Sequence, residues 1–448
     1  MTLLVFLNLA VSLCLFIYIK EFIVRFSLVV NYVMFLQPTV IGLVFGIFHP
    51  THNEWSASYY ETALIYILFY NIVLCISFSA FRRIFPKVKT DTLLESVNNI
   101  LERPSGKHIA VITYALLLLA VTAKIKLHSM GAFQHFGEVV ASPLLQQYKL
   151  VAAFDILILL LVGLIRAKNS LPPRLMNKLY IISIAACLGG AVLSGSRFQI
   201  INIVVIILIT NADYFRKRLV LGMVVLGLII PPALFIFPLI GAYRVNEYQL
   251  DVGVQEARVF AETVGYTGMM LDVLTTRLNY MESFVYAVGY VDSEGDAGGQ
   301  IYLNNFLGIV PRLFWPSKPK ITNDSQDLGY RLGIVPAHDF STSIGLRPLG
   351  EAYYQLGLYG IIVAFLYGIG LACIQRIIGD SSSTILSSIY INTSMYLAAR
   401  DGLFAVVPGL ILLFLSYVFF ILIIIGIHRI LKTTGGRRDI PTEISSTN

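Results

Sequence analysis

The sequence predicts an all-α, polytopic membrane protein with about eleven transmembrane helices and one large extracytoplasmic loop that carries short amphipathic helices. Three observations predict it. The chain of 448 residues is 56% hydrophobic and 13% charged, with a mean hydropathy of +0.75, a balance outside that of soluble domains. Apolar runs recur at lengths that cross a hydrocarbon core of roughly 30 Å. Lys and Arg collect in alternate loops, the signature of a chain threaded back and forth through a bilayer.

The apolar runs lie at 2–19, 26–48, 61–80, 108–123, 149–165, 179–193, 198–212, 219–240, 352–373, 384–398 and 403–427. The first has no basic stretch before it and no small-residue cleavage site after it, so it reads as a retained span. The sixth and seventh share a hairpin of a few residues, Ser194-Gly195-Ser196-Arg197. The chain divides into a bundle of eight spans over 1–240, a large loop over 241–350, three more spans over 351–427 and a tail over 428–448.

The basic residues set the orientation. Lys20 and Arg25; Arg82, Arg83, Lys87, Lys89, Arg103 and Lys107; Arg166, Lys168, Arg174 and Lys178; Arg216, Lys217 and Arg218; Arg376; and Arg429, Lys432, Arg437 and Arg438 all fall on one set of alternating connections. Placing these in the cytoplasm puts the N-terminus outside, the C-terminus inside and 241–350 outside. Lys124 and Lys126 run against the pattern, because the same threading puts them outside. The net charge of +7 then describes basic loops facing anionic lipid, with no nucleic-acid partner implied. Cys14, Cys75, Cys187 and Cys373 all sit within apolar runs, where neither a loop disulfide nor a zinc spacing arises.

The large loop has its own order. Ala257, Ala261, Val264, Leu271, Leu274, Leu278, Met281 and Val285 recur at helical spacing, which predicts one or two helices lying on the membrane. Residues 292–299 (DSEGDAGG) form a turn signal. In 311–319 (PRLFWPSKP) the prolines bar a continuous helix, and Trp315 suits the headgroup level. Residues 338–351 (HDFSTSIGLRPLGE) concentrate polar chemistry just before the ninth span.

Four arginines fall at span ends on the outer face: Arg197, Arg244, Arg347 and Arg400. Short outer loops normally exclude such residues, and an ionisable group at the bilayer edge needs a partner. Guanidinium forks grip phosphate oxygens in pairs. Tyr243, Tyr248, Tyr353 and Tyr354 lie nearby in sequence, and such rings stack on sugars while their hydroxyls hydrogen-bond. His338, Glu351 and Asp401 are the candidate proton acceptors. Plainer roles stand beside these. Arg197 also suits a helix cap, Arg400 a local ion pair with Asp401, and Arg244 a side chain reaching the headgroups. His338 also suits an ordinary loop histidine.

On these residues the chain resembles the O-antigen polymerases of the Wzy type, which polymerise oligosaccharide repeat units. The likeness runs over the whole length. It rests on the SGSR hairpin ahead of FQIINIVVIILI, on GAYR ending at Arg244, on the W-P-x-x-P of Trp315, Pro316 and Pro319, and on the Ala399-Arg400-Asp401-Gly402 hairpin before the last span. O-antigen ligases carry a His followed about a dozen residues later by Gly-x-x-[GTY]. Here His338 and Gly350-Glu351-Ala352-Tyr353 stand one residue further apart, and Asp339 replaces a neutral polar residue, which favours polymerase over ligase. The resemblance implies a metal-independent glycosyltransferase, with no cofactor, of the bacterial inner (cytoplasmic) membrane. Its substrates would be undecaprenyl-pyrophosphate-linked oligosaccharides, and its partner a chain-length-regulating co-polymerase. It also implies catalysis by His338, Glu351 or Asp401, pyrophosphate held by Arg197, Arg244, Arg347 and Arg400, and sugar held by Tyr243, Tyr248 and Tyr353. The alternatives are the ligase and a lipid-linked-oligosaccharide flippase. A flippase would be built from internal repeats and would carry charges inside the bundle.

Overall fold

A computed structural model describes residues 1–45, 57–88, 106–130, 143–168, 172–194, 197–212, 279–299, 346–381, 383–399 and 403–435, with single positions 255, 258, 259, 262, 263, 265, 268, 302 and 329. Among the described residues all regular structure is helical. In chain order the helices are α1 (Thr2–Tyr18), α2 (Phe22–Asn31), α3 (Gln37–Phe45), α4 (Ala57–Ile84), α5 (Gly106–Ser129), α6 (Pro143–Ala152), α7 (Phe154–Ala167), α8 (Pro173–Ser194), α9 (Arg197–Thr210), α10 (Tyr280–Glu294), α11 (Arg347–Leu356), α12 (Ile361–Ile374), α13 (Thr384–Ala399) and α14 (Leu403–Gly435).

Helices cover every expected span except 219–240, which lies outside the described residues. Seven are long and apolar enough to cross a membrane: Phe22–Ile41, Ala57–Ile84, His108–Ser129, Gln147–Ala167, Pro173–Ser194, Arg347–Gly379 and Leu413–Leu431. Among the described residues the chain is therefore all-helical, with helices of membrane-spanning length and composition. Helix α1 and the apolar part of α9 are shorter. Helix α13, of 16 residues, is buried along nearly its whole length. It is enclosed by other helices, and its buried polar side chains find partners there: Asn392 donates to the Tyr417 hydroxyl at 3.1 Å and Ser394 to the Tyr390 carbonyl at 2.7 Å.

Two apolar clusters hold the bundle. One runs through α2, the later parts of α4 and α12, and α5, α7, α8, α9, α13 and α14. The other gathers α1, α3, α4, α10, α11 and the start of α12. Without water, helices associate through close packing and side-chain hydrogen bonds. At the α4–α12 crossing a Cβ on Gly368 would lie 1.9 Å from the Ser77 hydroxyl and 2.6 Å from the Leu74 carbonyl, so only glycine allows the contact. Asn8 donates to the Leu64 carbonyl at 3.0 Å, Asn31 to Asn71 at 2.8 Å, and Ser416 to the Leu150 carbonyl at 2.7 Å. The four cysteines are free and lie within helices.

The large loop departs from expectation in one respect. Helices lying on the membrane are predicted over the apolar pattern that ends near residue 288. In the structure the last of these residues belong to α10, which is sunk into the bundle. Met281, Phe284, Val285, Ala287 and Val288 are buried, and the helix packs on α4 and α11. Amphipathic spacing fixes which stripe is buried but not against what, and here the stripe meets other helices. The turn expected over 292–299 begins only after Glu294, where Gly295, Gly298 and Gly299 adopt positive φ. It is stitched to α11 by backbone bonds from Ala297 to Tyr354 at 3.1 Å and from Gly299 to Gln355 at 3.0 Å.

Candidate functional site

Helix α11 brings the expected residues of the ninth span together. Arg347 opens it, followed by Pro348. A residue before proline is pushed out of the α region. Arg347 takes φ +58°, the only positive φ at a non-glycine among the described residues. That conformation costs an L-residue roughly 1–3 kcal/mol, and such strain clusters at functional sites. The side chain is buried, with the residue 5% exposed. Its guanidinium carbon stands 4.6 Å over the Tyr280 ring, and Nη2 donates to the Tyr280 hydroxyl at 3.3 Å. Tyr280 heads α10, whose first turn is capped by the Asn279 side chain accepting from the Glu282 backbone amide at 3.2 Å. Two helix starts that are remote in sequence thus fix one arginine.

Glu351 follows one turn after Arg347 and lies on the same side of α11. Burial, and then the charge of Glu351, push the Tyr302 phenol far above its ordinary range. Tyr302 therefore stays a neutral phenol. Tyr353 is turned into the protein. Its ring meets Tyr66 edge-on at 4.9 Å and Phe284 at 5.6 Å, in an aromatic layer that Phe35 extends. Its neighbour Tyr354 lies 5.5 Å from Tyr290. Tyr66 and Tyr70 are fully buried, and their hydroxyls have no hydrogen-bond partner among the described residues.

A second polar site lies at the ends of α5, α7, α8 and α9. Lys124 of α5 and Asp155 of α7 form an ion pair at 6% and 1% exposure. Gln199 of α9 donates to the same Asp155 oxygen at 2.9 Å, and the Ile156 backbone amide donates to the other at 2.8 Å. Gly190 of α8 makes room, since a Cβ there would lie 2.5 Å from the Lys124 ammonium and 3.0 Å from Asp155. Ser194 reaches Gln199 at 3.3 Å across the hairpin that carries Arg197. Sequence reasoning did not find this pair. Its two signals were Lys124, which runs against the charge pattern, and Asp155, an acid within an apolar run. Their separation of 31 positions gave no reason to join the two.

The other expected residues are not brought into view. Arg197 is the first residue of α9, but its side chain lies outside the described residues. So do Tyr243, Arg244, Tyr248, His338, Arg400 and Asp401. Among the described residues no three His, Cys, Asp or Glu side chains gather in a way that could hold a metal ion.

A family described as a domain of unknown function, DUF8712, matches residues 102–434, most of the chain and all of both polar sites. No curated protein and no solved structure matches it. The chain belongs to that family.

Proposed function

We propose that this member of the family is a membrane glycosyltransferase that joins undecaprenyl-pyrophosphate-linked oligosaccharide repeat units into an O-antigen-like surface polymer. The finer topology belongs to the proposal: eleven spans, the N-terminus outside, the C-terminus inside, and the site on the outer face of a bacterial inner membrane. The observation that supports it most is Arg347, a strained and buried arginine with Glu351 one turn away at the start of an apolar span. A lipid pyrophosphate arrives at that depth, because its polyprenyl chain stays in the bilayer.

In the reaction, the bond between the anomeric carbon of the donor and the pyrophosphate oxygen breaks, and pyrophosphate leaves with the electron pair. The hydroxyl of the acceptor unit forms the new glycosidic bond and loses its proton to a base. Arg347 stabilises the charge growing on the leaving group, as preorganised cations do in a site shielded from water. Glu351 takes the proton, with His338 and Asp401 as the other candidates. Arg197, Arg244 and Arg400 complete the pyrophosphate contacts, and Tyr243 and Tyr248 the sugar contacts. The buried place of Tyr353 favours an indirect part for it, shaping the wall behind Glu351.

The Lys124–Asp155–Gln199 cluster favours a second reading, a flippase for the same lipid-linked substrate. Charges enclosed within a helix bundle are a mark of transport.

One experiment separates the two. Cells lacking the protein should display single repeat units and no ladder of longer glycans if it is the polymerase. Loss of all surface glycan would instead point to the flippase or a ligase. Arg347→Ala in the polymerase should remove the ladder while protein abundance stays near normal, a loss on the order of a hundredfold in rate or more. Arg347→Lys should rescue only in part, because an ammonium lacks the planar fork. A normal ladder from Arg347→Ala would remove Arg347 from the site.

A further inference from the structure

A cavity of about 380 Å³ opens where α1, α2, α4 and the end of α12 meet, at the end of the bundle opposite the α11 site. Its lining includes Lys20, Glu21, Arg82, Arg83 and Arg376. This wall is built. Arg376 donates to the Arg82 carbonyl at 2.6 Å and to Asp380 at 3.0 Å, Arg82 pairs with Glu21, and Gln375 donates to Asp380 at 2.8 Å. Gln375 in turn accepts from Tyr390, which accepts from the Ile23 backbone amide at 3.1 Å. Four cations (Lys20, Arg82, Arg83, Arg376) thus face two carboxylates (Glu21, Asp380), an excess of two positive charges. Lys20 and Arg83 supply that excess, since neither meets an acid among the described residues.

Beside the charge lies an apolar rim. Ile17, Tyr18 and Ile84 are 64%, 70% and 68% exposed. In a membrane-spanning protein, exposed apolar side chains face acyl chains. The juxtaposition of a cationic hollow with a lipid-facing rim matches an anionic headgroup joined to hydrocarbon tails. The alternating Lys and Arg pattern puts this end of the bundle in the cytoplasm, the side where anionic lipid and basic pockets between helices meet.

We infer that this cavity binds the phosphate-bearing headgroup of an anionic phospholipid, with Lys20 and Arg83 contacting the phosphate and Arg82 and Arg376 forming the fixed wall. The inference does not depend on the reaction proposed above. The family match begins at residue 102, so Lys20, Arg82 and Arg83 precede it while Arg376 and Asp380 fall within it. The cavity joins the part of the chain inside the match to the part ahead of it.

The test is native mass spectrometry of the purified full-length protein, titrated with phosphatidylglycerol, phosphatidylcholine or soluble glycerol phosphate. One phosphatidylglycerol should bind at least about tenfold more tightly than phosphatidylcholine, and glycerol phosphate should displace it only weakly. Lys20→Ala/Arg83→Ala should weaken that binding about twentyfold, as expected for two lost surface cations. The two side chains are exposed, so their loss should leave the fold intact. Arg174→Ala/Lys178→Ala, at the exposed start of α8, should change binding less than about twofold. Equal retention of the two lipids, or an unchanged Lys20→Ala/Arg83→Ala variant, would overturn the site. An equal loss in the α8 variant would reduce the effect to general surface charge and overturn it too. Tight binding of glycerol phosphate by itself would overturn the lipid assignment in favour of a soluble phosphate ester.

Discussion

The ion pair inside the bundle and the ion network at its edge use the same chemistry under opposite conditions. Lys124 and Asp155 are sealed among α5, α7, α8 and α9, with side chains 7% and 2% exposed. Arg82, Glu21, Arg376 and Asp380 sit where span ends meet water, at 35%, 13%, 15% and 15%. The inner pair has Gln199 and a backbone amide as its other described contacts, so each partner depends on the other. The edge network spreads its charges over four ions, a backbone carbonyl and Gln375. Solvent also stands ready to replace any one of them. Burial makes a partner obligatory, and exposure makes it replaceable.

Breaking the inner pair should therefore have the largest effect. Asp155→Ala leaves an ammonium enclosed without its carboxylate and should cost about 3–5 kcal/mol. Lys124→Met/Asp155→Ala removes both charges and should recover most of that loss in thermal unfolding in detergent. If the double variant is no more stable than the single one, the pair is not the coupled unit described here.

A smaller effect should come from crowding the pair without removing it. Gly190→Ala places a methyl against the Lys124 ammonium and Asp155. With the ammonium pinned, the cost should be about 1–3 kcal/mol, typical of overpacking. Combining Gly190→Ala with Lys124→Met should cancel much of it, whereas plain additivity of the two losses would argue against contact.

The smallest effect should come from the edge. Asp380→Asn should cost at most about 1 kcal/mol, and its size should follow pH. Burial pushes the Asp380 carboxyl up. The hydrogen bonds from Gln375 and Arg376 and the charges of Arg82 and Arg376 outweigh that and hold it below its ordinary value. A depressed carboxylate contributes stability above its unfolded value, near about 3.9, and loses it as pH falls through the folded value. The gap between wild type and Asp380→Asn should thus be constant near neutrality and close in acid. A gap that widens in acid would reverse the assigned sign.

Much of the fold was legible because membrane insertion is decided locally. Helices stand over the expected apolar runs wherever the residues are described. The grouping of residues on α11 was legible for the same reason: Arg347, Glu351 and Tyr353 are close in sequence and need only a helix to share a neighbourhood. Tyr280 was not, because its approach to Arg347 depends on α10 sinking against α4 and α11. The edge network was half visible. Lys20, Arg82 and Arg376 read correctly as members of one basic set, but not as the walls of one cavity.

The sequence by itself determined that the chain is helical and apolar enough to span a membrane, roughly where its described apolar helices lie, and which residues are chemically out of place in lipid. Length, hydropathy and charge act one segment at a time. Only the tertiary structure decided which of those misplaced residues meet: Lys124 with Asp155, Arg347 with Tyr280, and Arg82 with Glu21 and Asp380. It also decided that the loop helix α10 packs inside the bundle. Pairing between helices is set by close contacts such as the Gly368–Ser77 and Gly190–Lys124 approaches. A contact between distant segments leaves no periodicity in either one, and the reason is geometric: the partners become neighbours only after the helices have packed.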